Sequence, residues 1–246
     1  MKKENIIYGI RPIIEAIKSG KEIDKVIFQD GLKGQLFFEL RDLLKEFEIP
    51  FQFVPAEKLN QITTKNHQGV VCFISSIEYQ KIEDIIPLLF ENGEVPLIMM
   101  LDRITDVRNF GAISRTAECA GVHAIIIPVK GSAQINEVAI KTSAGALNKI
   151  PVCRTIKTEE TITFLKNSGL QIVSCTEKTE KLFYDIDYTL PSLIIIGSEE
   201  DGISKSILDK SDEIVRIPLK GEIESLNVSV AAGIVLFEVV KQRGMK

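Results

Sequence analysis

Cysteine and histidine are scarce in this chain, with four and two copies in 246 residues. Cys72, Cys119, Cys153 and Cys175 form no CxxC pair, and only His67 and His123 are available to complete a metal site. A zinc ribbon and a disulfide scaffold are thereby excluded. Each cysteine lies in or beside an apolar segment and is expected as a buried free thiol. Long apolar runs are missing too: none reaches the roughly 20 residues of a bilayer span, and the opening MKKENIIYGI lacks the apolar core of a signal peptide. A cytoplasmic protein without membrane or metal partners is expected. There is no GxxxxGK[ST] phosphate loop and no GxGxxG at the early strand-to-helix turn, so neither a P-loop nor a dinucleotide fold is supported. An excess of positive charge is also absent, the net charge being −4.

What is present is the composition of an ordinary globular protein, 45% hydrophobic and 26% charged, in a chain long enough for one large domain or two modest ones. Charge is unevenly distributed. Residues 102–154 carry seven basic and four acidic residues, whereas 157–201 carry four basic and nine acidic. The first stretch, which includes Arg103 and Arg108, offers a local surface for phosphate.

Element types alternate through residues 1–75. Pro12 suits the first turn of a helix with Ile13, Ile14 and Ile17 on one face. Leu36, Phe37, Leu40, Leu43, Leu44 and Phe47 form a second apolar stripe from Gln35 to Phe47. Short strands are expected at Val26–Phe28, Phe51–Val54 and Gly69–Ile74, with NHQG (66–69) forming the turn before the last. This is a small α/β unit of its own. Residues 76–95 read as a linker holding one helix, and Pro96 opens a second domain running to 246.

In that domain continuous apolar strands at 97–101, 124–127, 171–175, 193–196 and 214–217 alternate with helices, the pattern of a parallel sheet covered on both faces. Ligands of such sheets bind beyond the carboxyl ends of the strands, which singles out three stretches. After Leu101 comes DRITDVRNFGAISRTA, where Asn109 and Gly111 allow a tight helix entry and Arg115 follows. After Ile196 comes GSEEDGIS, where Gly197 lets a ligand approach and three carboxylates disfavour polyphosphate but suit a cationic centre. Glu199 is the one placed in the site. The third, IPLKGEIESLNVSVAAGI, ends a strand, carries Ser225 and Asn227, and opens an apolar helix on an Asn N-cap.

NFGAISR, GSEEDG and IPLKGEIESLNVSVAAGI resemble, in order and spacing, motifs one, two and three of the SpoU (TrmH-like) RNA ribose 2′-O-methyltransferases of the SPOUT superfamily. YGIRPIIEAI and NHQGVV resemble the L30e-like substrate-binding domain that precedes many of them. The resemblance implies an α/β fold: a C-terminal parallel-sheet SPOUT domain with a deep trefoil knot, preceded by the small L30e-like α/β domain. It implies S-adenosylmethionine as methyl donor, an RNA substrate and a homodimer whose site uses both chains. Gly197, Ile217 and Leu226 would contact the cofactor, with Asn109, Arg115, Glu199, Ser225 and Asn227 around the reacting centre. The group it resembles most acts on guanosine of 23S rRNA. A tRNA ribose methyltransferase and a non-catalytic RNA-binding relative are the competing readings, and an enzyme of small metabolites is a third class.

Overall fold

The computed structural model describes residues 6–244. The chain divides into two compact units, Met1–Glu78 and Tyr79–Lys246. The first unit is a four-stranded sheet in the order β1-β4-β2-β3, built from β1 (Ile6–Tyr8), β2 (Ile23–Gln29), β3 (Phe51–Val54) and β4 (Val70–Ile74). β4 runs antiparallel to β1 and β2, while β2 and β3 are parallel. Helices α1 (Ile10–Lys18), α2 (Gln35–Glu46) and α3 (Ala56–Ile62) accompany it.

Phe28, fully buried, stacks on Phe53 at 5.5 Å and meets the edge of Phe37 at 5.3 Å. Phe37, Leu40 and Leu44 turn inward from α2 at helical spacing; each such side chain contributes about 1.5–3 kcal/mol by leaving water. The stripe is narrower than its sequence implies, for Leu36 and Phe47 are exposed.

The second unit is a seven-stranded, all-parallel sheet in the order β11-β9-β10-β6-β7-β8-β5. Its strands are β5 (Tyr79–Gln80), β6 (Leu97–Asp102), β7 (Ala124–Pro128), β8 (Val152–Thr155), β9 (Gln171–Cys175), β10 (Ser192–Gly197) and β11 (Glu213–Val215). Every residue of β6 and β10 is buried, as central parallel strands covered on both faces must be. The helices are α4 (Ile82–Glu91), α5 (Val107–Cys119), α6 (Glu137–Thr142), α7 (Thr158–Asn167), α8 (Lys205–Leu208) and α9 (Val228–Arg243).

Several expectations are corrected. The stretch 76–95 is more than a linker: Tyr79 and Gln80 pair with β8, and Ile82 and Ile86 of α4 join the core formed with Ile98, Ile126 and Ile195. β1, β5 and β8 were not expected, because two or three residues carry no periodicity and VCRT is broken by a charge. Helix α5 begins four residues before the expected Gly111, since Asp106 caps it by accepting from the Asn109 N–H at 2.7 Å. The strand expected at 214–217 ends at Val215, leaving Ile217 in a loop. All four cysteines are free, but Cys119 is exposed and Cys175 only partly buried, because α5 turns Cys119 outward.

Helix α9 is apolar on all sides rather than on one stripe. Val228, Ala232, Val235, Leu236 and Val239 are buried, whereas Val230 and Phe237 are exposed. α9 packs on α5. At its end Arg243 donates to the backbone carbonyls of Tyr188, Val95, Pro96 and Leu190, fixing the helix to the edge where β6 and β10 begin. No helix among the described residues is long and apolar enough to cross a membrane.

Candidate active site

The register of the two central strands sets the site. β6 and β10 pair from Ser192–Leu97 to Gly197–Asp102, so both strands end at one level. The loops leaving Asp102 and Gly197 are therefore neighbours. Asp102, buried at that level, accepts from the Ser204 N–H at 2.8 Å and lies 3.5 Å from Arg103 Nε. Arg103 reaches on to Asp201 Oδ2 at 3.0 Å and to the Gly202 carbonyl at 3.2 Å. Arg103 thus clamps the loop after β10, and this corrects its expected place on an RNA surface: its guanidinium is committed to groups of its own chain. Arg108 remains exposed.

Gly197 has a different reason from ligand access alone. A Cβ there would stand 2.2 Å from the Gly202 backbone carbon, because the loop returns on itself with Ser198 bridging Gly202. Gly111 likewise serves packing: a Cβ would meet the Ala139 carbonyl at 2.8 Å. It lies inside α5 against α6, not at the helix entry.

The three stretches meet at one carboxylate oxygen. Glu199 Oε1 accepts from Asn227 Nδ2 at 2.9 Å, from Asn109 Nδ2 at 3.2 Å and from the Val228 N–H at 3.2 Å. Asn227 Nδ2 also donates to Asn109 Oδ1 at 3.1 Å. The other end of the Asn227 amide caps α9, its Oδ1 accepting from the Ser229 N–H at 3.0 Å and the Ser229 hydroxyl at 2.6 Å. The carboxylate of Glu199 thus lies against the positive end of α9. Its Oε2 has no donor among the described residues and is open to a ligand hydroxyl.

Beside this triangle lies a cleft of about 400 Å³. Gly197, Ile217, Leu219, Ser225 and Leu226 line it, together with the loop that follows β9, Cys175 to Lys178. Glu177, Glu199, Glu200, Asp201 and Glu224 border it against a single lysine, Lys178. Such a rim repels polyphosphate and suits a ligand with a cationic centre, with apolar Ile217, Leu219 and Leu226 to cover a planar ring. Burial, reinforced by Glu177, pushes the Cys175 thiol up to about 12, so it stays a neutral part of the wall.

Of the residues expected at the site, Asn109, Glu199 and Asn227 are bonded together, and Gly197, Ile217, Ser225 and Leu226 line the cleft. Ser225 is exposed and makes no hydrogen bond among the described residues. Arg115 is not brought to the triangle. It is the ninth residue of α5, exposed and without an ion pair among the described residues. Six residues separate it from Asn109, about 9 Å of helix rise, on another side of the helix. Cys175–Lys178, Leu219, Glu224 and the Arg103 clamp were not anticipated. The strand-end rule applied to β9 marks the first of these. Among the described residues no cluster of His, Cys, Asp or Glu is placed to hold a metal ion.

Comparison with known proteins identifies the family. Residues 96–237 match the SpoU rRNA Methylase family, and residues 6–80 match the RNA 2′-O ribose methyltransferase substrate-binding family. YacO of Bacillus subtilis, named for the TrmH family of tRNA/rRNA methyltransferases, is 32% identical over 98% of this chain and 97% of its own. The SpoU methyltransferase AviRb of Streptomyces viridochromogenes, solved with the cofactor AdoMet, is 25% identical with a TM-score of 0.62, over 97% of this chain and 90% of that one. An AdoMet-bound rRNA methyltransferase of Sinorhizobium meliloti is 25% identical with a TM-score of 0.61, over 96% of this chain and 86% of that one. With both halves matched and the motif residues joined around Glu199, the chain belongs to the SpoU (TrmH) family of RNA methyltransferases.

Proposed function

We propose that the protein transfers the methyl group of S-adenosylmethionine to a ribose 2′-hydroxyl in structured RNA, with a guanosine of 23S rRNA as target. The observation that carries this reading is the junction of three loops on Glu199 Oε1 at the lip of an acid-rimmed cleft. S-adenosylmethionine, when bound, supplies an electrophilic methyl on a cationic sulfur, and the donor set fits it: carboxylates for the charge, apolar Ile217, Leu219 and Leu226 for the adenine. Gly197 keeps the loop folded tightly enough for that cleft to exist.

The chain's own residues have mainly a positioning task. Alignment of a nucleophile contributes up to about 7–11 kcal/mol of barrier reduction, against a factor of about 10²–10⁴ for a general base. Asn109 and Asn227 hold Glu199 in one orientation, and Glu199 Oε2 and Ser225 receive hydroxyls of the bound partners. Arg115 acts on the nucleophile electrostatically, since a guanidinium keeps its proton and stabilises a developing alkoxide.

Arg115 meets this site from a second copy of the chain. Its distance from the triangle within one protomer supports a homodimer with shared sites, and α9 has apolar surface for the contact, with Val230 and Phe237 each about half exposed. The knotted topology of the family belongs to the same proposal, as does an RNA-recognising role for the first unit, with catalysis in the second unit that begins at Tyr79. A ribosomal substrate is supported by the likeness, over 96% of this chain, to the Sinorhizobium rRNA methyltransferase. Cytoplasmic residence follows from such a substrate.

The test is incubation with methyl-labelled cofactor and unmodified total RNA, followed by mapping. Label on a ribose 2′-oxygen of 23S rRNA is expected. Label on a base, or on tRNA alone, overturns the reading.

A further inference from the structure

The first unit holds a cleft of about 530 Å³ that the methyl-transfer chemistry does not use. Its size falls within the about 300–1,000 Å³ of small-ligand pockets. Two sequence stretches meet there: the turn from β1 into α1, carrying Tyr8 and Arg11, and the loop before β4, carrying Asn66 and Gln68. Leu36, 37% exposed, forms an apolar part of the wall. We infer that this cleft receives one unpaired nucleotide of the RNA, its base against Tyr8 and Leu36, its edge on the Asn66 and Gln68 amides, and its phosphate on Arg11. The inference rests on the RNA reading above and assigns the contact residues within it.

Four observations carry it. Chemically this cleft is the opposite of the one in the second unit: its walls contain an arginine and no carboxylate, so it admits an anion where the other refuses one. Lys65 adds a second cation, its Nζ 5.1 Å from the centre of the Tyr8 ring. Arg11 is exposed and makes no ion pair among the described residues, and the side-chain amides of Asn66 and Gln68 make no hydrogen bond among them. Each amide therefore has a donor and an acceptor free for a base edge, the complementarity by which Asn and Gln read bases. An unpaired base also needs a flat surface to replace its stacking neighbours, and Tyr8 offers one.

The loop is held in shape by its own chain. His67 Nδ1 accepts from the Gly69 N–H at 3.1 Å, and Nε2 lies 3.0 Å from Asn60 Oδ1. The proton is therefore on Nε2, which donates to Asn60. Both ring nitrogens being used inward, His67 is a positioning residue between Asn66 and Gln68. Gln68 itself sits at φ 50, and Gly9 opposite at φ 88, where a Cβ would stand 3.4 Å from Gln68 Oε1. A side chain at position 9 would press on the amide that reads the base.

The experiment uses the full chain, in wild-type, Arg11→Ala and Asn66→Ala/Gln68→Ala forms. Probes are an unmodified 23S rRNA transcript and a mixed-sequence single-stranded RNA of equal length. All substituted side chains are on the surface, and unchanged melting and cofactor affinity confirm an intact fold. Arg11→Ala is expected to weaken both RNAs about tenfold and reduce the salt slope by about one. The double variant is expected to weaken the rRNA transcript by about tenfold while leaving the mixed-sequence RNA unchanged. Wild-type affinities for both RNAs in both variants, with wild-type methyl transfer intact, overturn the cleft assignment alone. Failure of the wild type to bind any RNA overturns the methyltransferase reading and this site with it.

Discussion

Asn227 Nδ2 lies 2.9 Å from Glu199 Oε1, a bond between the residue that caps the last helix and a loop residue two positions beyond a central strand. Because Asn227 Oδ1 is occupied by Ser229, the amide has one orientation, nitrogen toward Glu199. The cap and the site are thus the two ends of one side chain.

Asn227→Asp separates these roles. The aspartate still caps α9, but it places a carboxylate against Glu199, and two carboxylates at that distance do not both ionise readily. At neutral pH the variant is therefore expected to melt below wild type and to lose methyl transfer, although its cap is kept. Asn227→Ala loses the cap, about 1 kcal/mol, but puts no second charge beside Glu199. A melting temperature of Asn227→Asp equal to that of wild type contradicts the coupling.

Gly197→Ala tests the steric account of the second motif. Its Cβ would lie 2.2 Å from the Gly202 backbone carbon, and backbone cannot swing aside as a side-chain tip can. A cost at or above about 3 kcal/mol is expected, with loss of cofactor binding. Gly221→Ala, in the third motif, meets nothing within 4 Å and is expected to change melting by less than about 0.5 kcal/mol. Calorimetric melting of the two variants decides it; equal effects would contradict the distinction.

The parallel sheet was legible because β6, β7 and β10 each carry an unbroken apolar run, and the strand-end rule then pointed to Asn109, Glu199 and Asn227. Short edge strands were not: β5 has two residues and β8 contains Arg154, so neither shows a period. Arg103 was misread because charge counting treats every arginine as solvated, and its engagement depends on Asp201 and Gly202, about a hundred residues away. The spacing from Asn109 to Arg115 put both in one loop motif, but it could not show that α5 starts at Val107 and turns them apart.

Arg103→Ala and Arg108→Ala are therefore expected to differ in kind. Removing Arg103 releases the loop bearing Glu199 and Asp201 and raises the Kd for S-adenosylmethionine. Removing exposed Arg108 leaves the cofactor untouched and weakens RNA, with a salt slope lower by about one. Calorimetry with the cofactor and filter binding with RNA at several salt concentrations distinguish them. An RNA defect confined to Arg103→Ala would return that residue to the nucleic-acid surface.

Sharing of the site is tested by mixing two inactive proteins, Arg115→Ala and Glu199→Ala. If Arg115 serves the triangle of the opposite copy, half of the dimers formed at random are mixed, and one of their two sites is intact. About a quarter of wild-type activity should return after subunit exchange. If Arg115 serves its own chain, every site carries a lesion and the mixture stays inactive. Restored activity near a quarter supports the shared site, and none contradicts it.

The thiols give a prediction for alkaline pH. Burial, aided by Asp24, Glu83 and Glu177 respectively, holds Cys72, Cys153 and Cys175 at about 12, against 9.0 for an unperturbed thiol. The folded groups thus keep their protons after the unfolded ones have lost theirs. Their stabilising contribution is complete below pH 9 and is lost as pH rises from 9 to 12, by about 1.4 kcal/mol per thiol per pH unit. Cys72 acts on the first unit, and Cys153 and Cys175 on the second. Denaturant unfolding at pH 8, 9 and 10 is expected to show declining stability in both units, with a shallower decline for the second unit in Cys153→Ala. Exposed Cys119 is expected to be the one thiol labelled rapidly by a disulfide reagent at pH 8, and Cys119→Ser to abolish that fast phase. Rapid labelling of Cys175 would show that the wall of the acidic cleft opens far more than its burial allows.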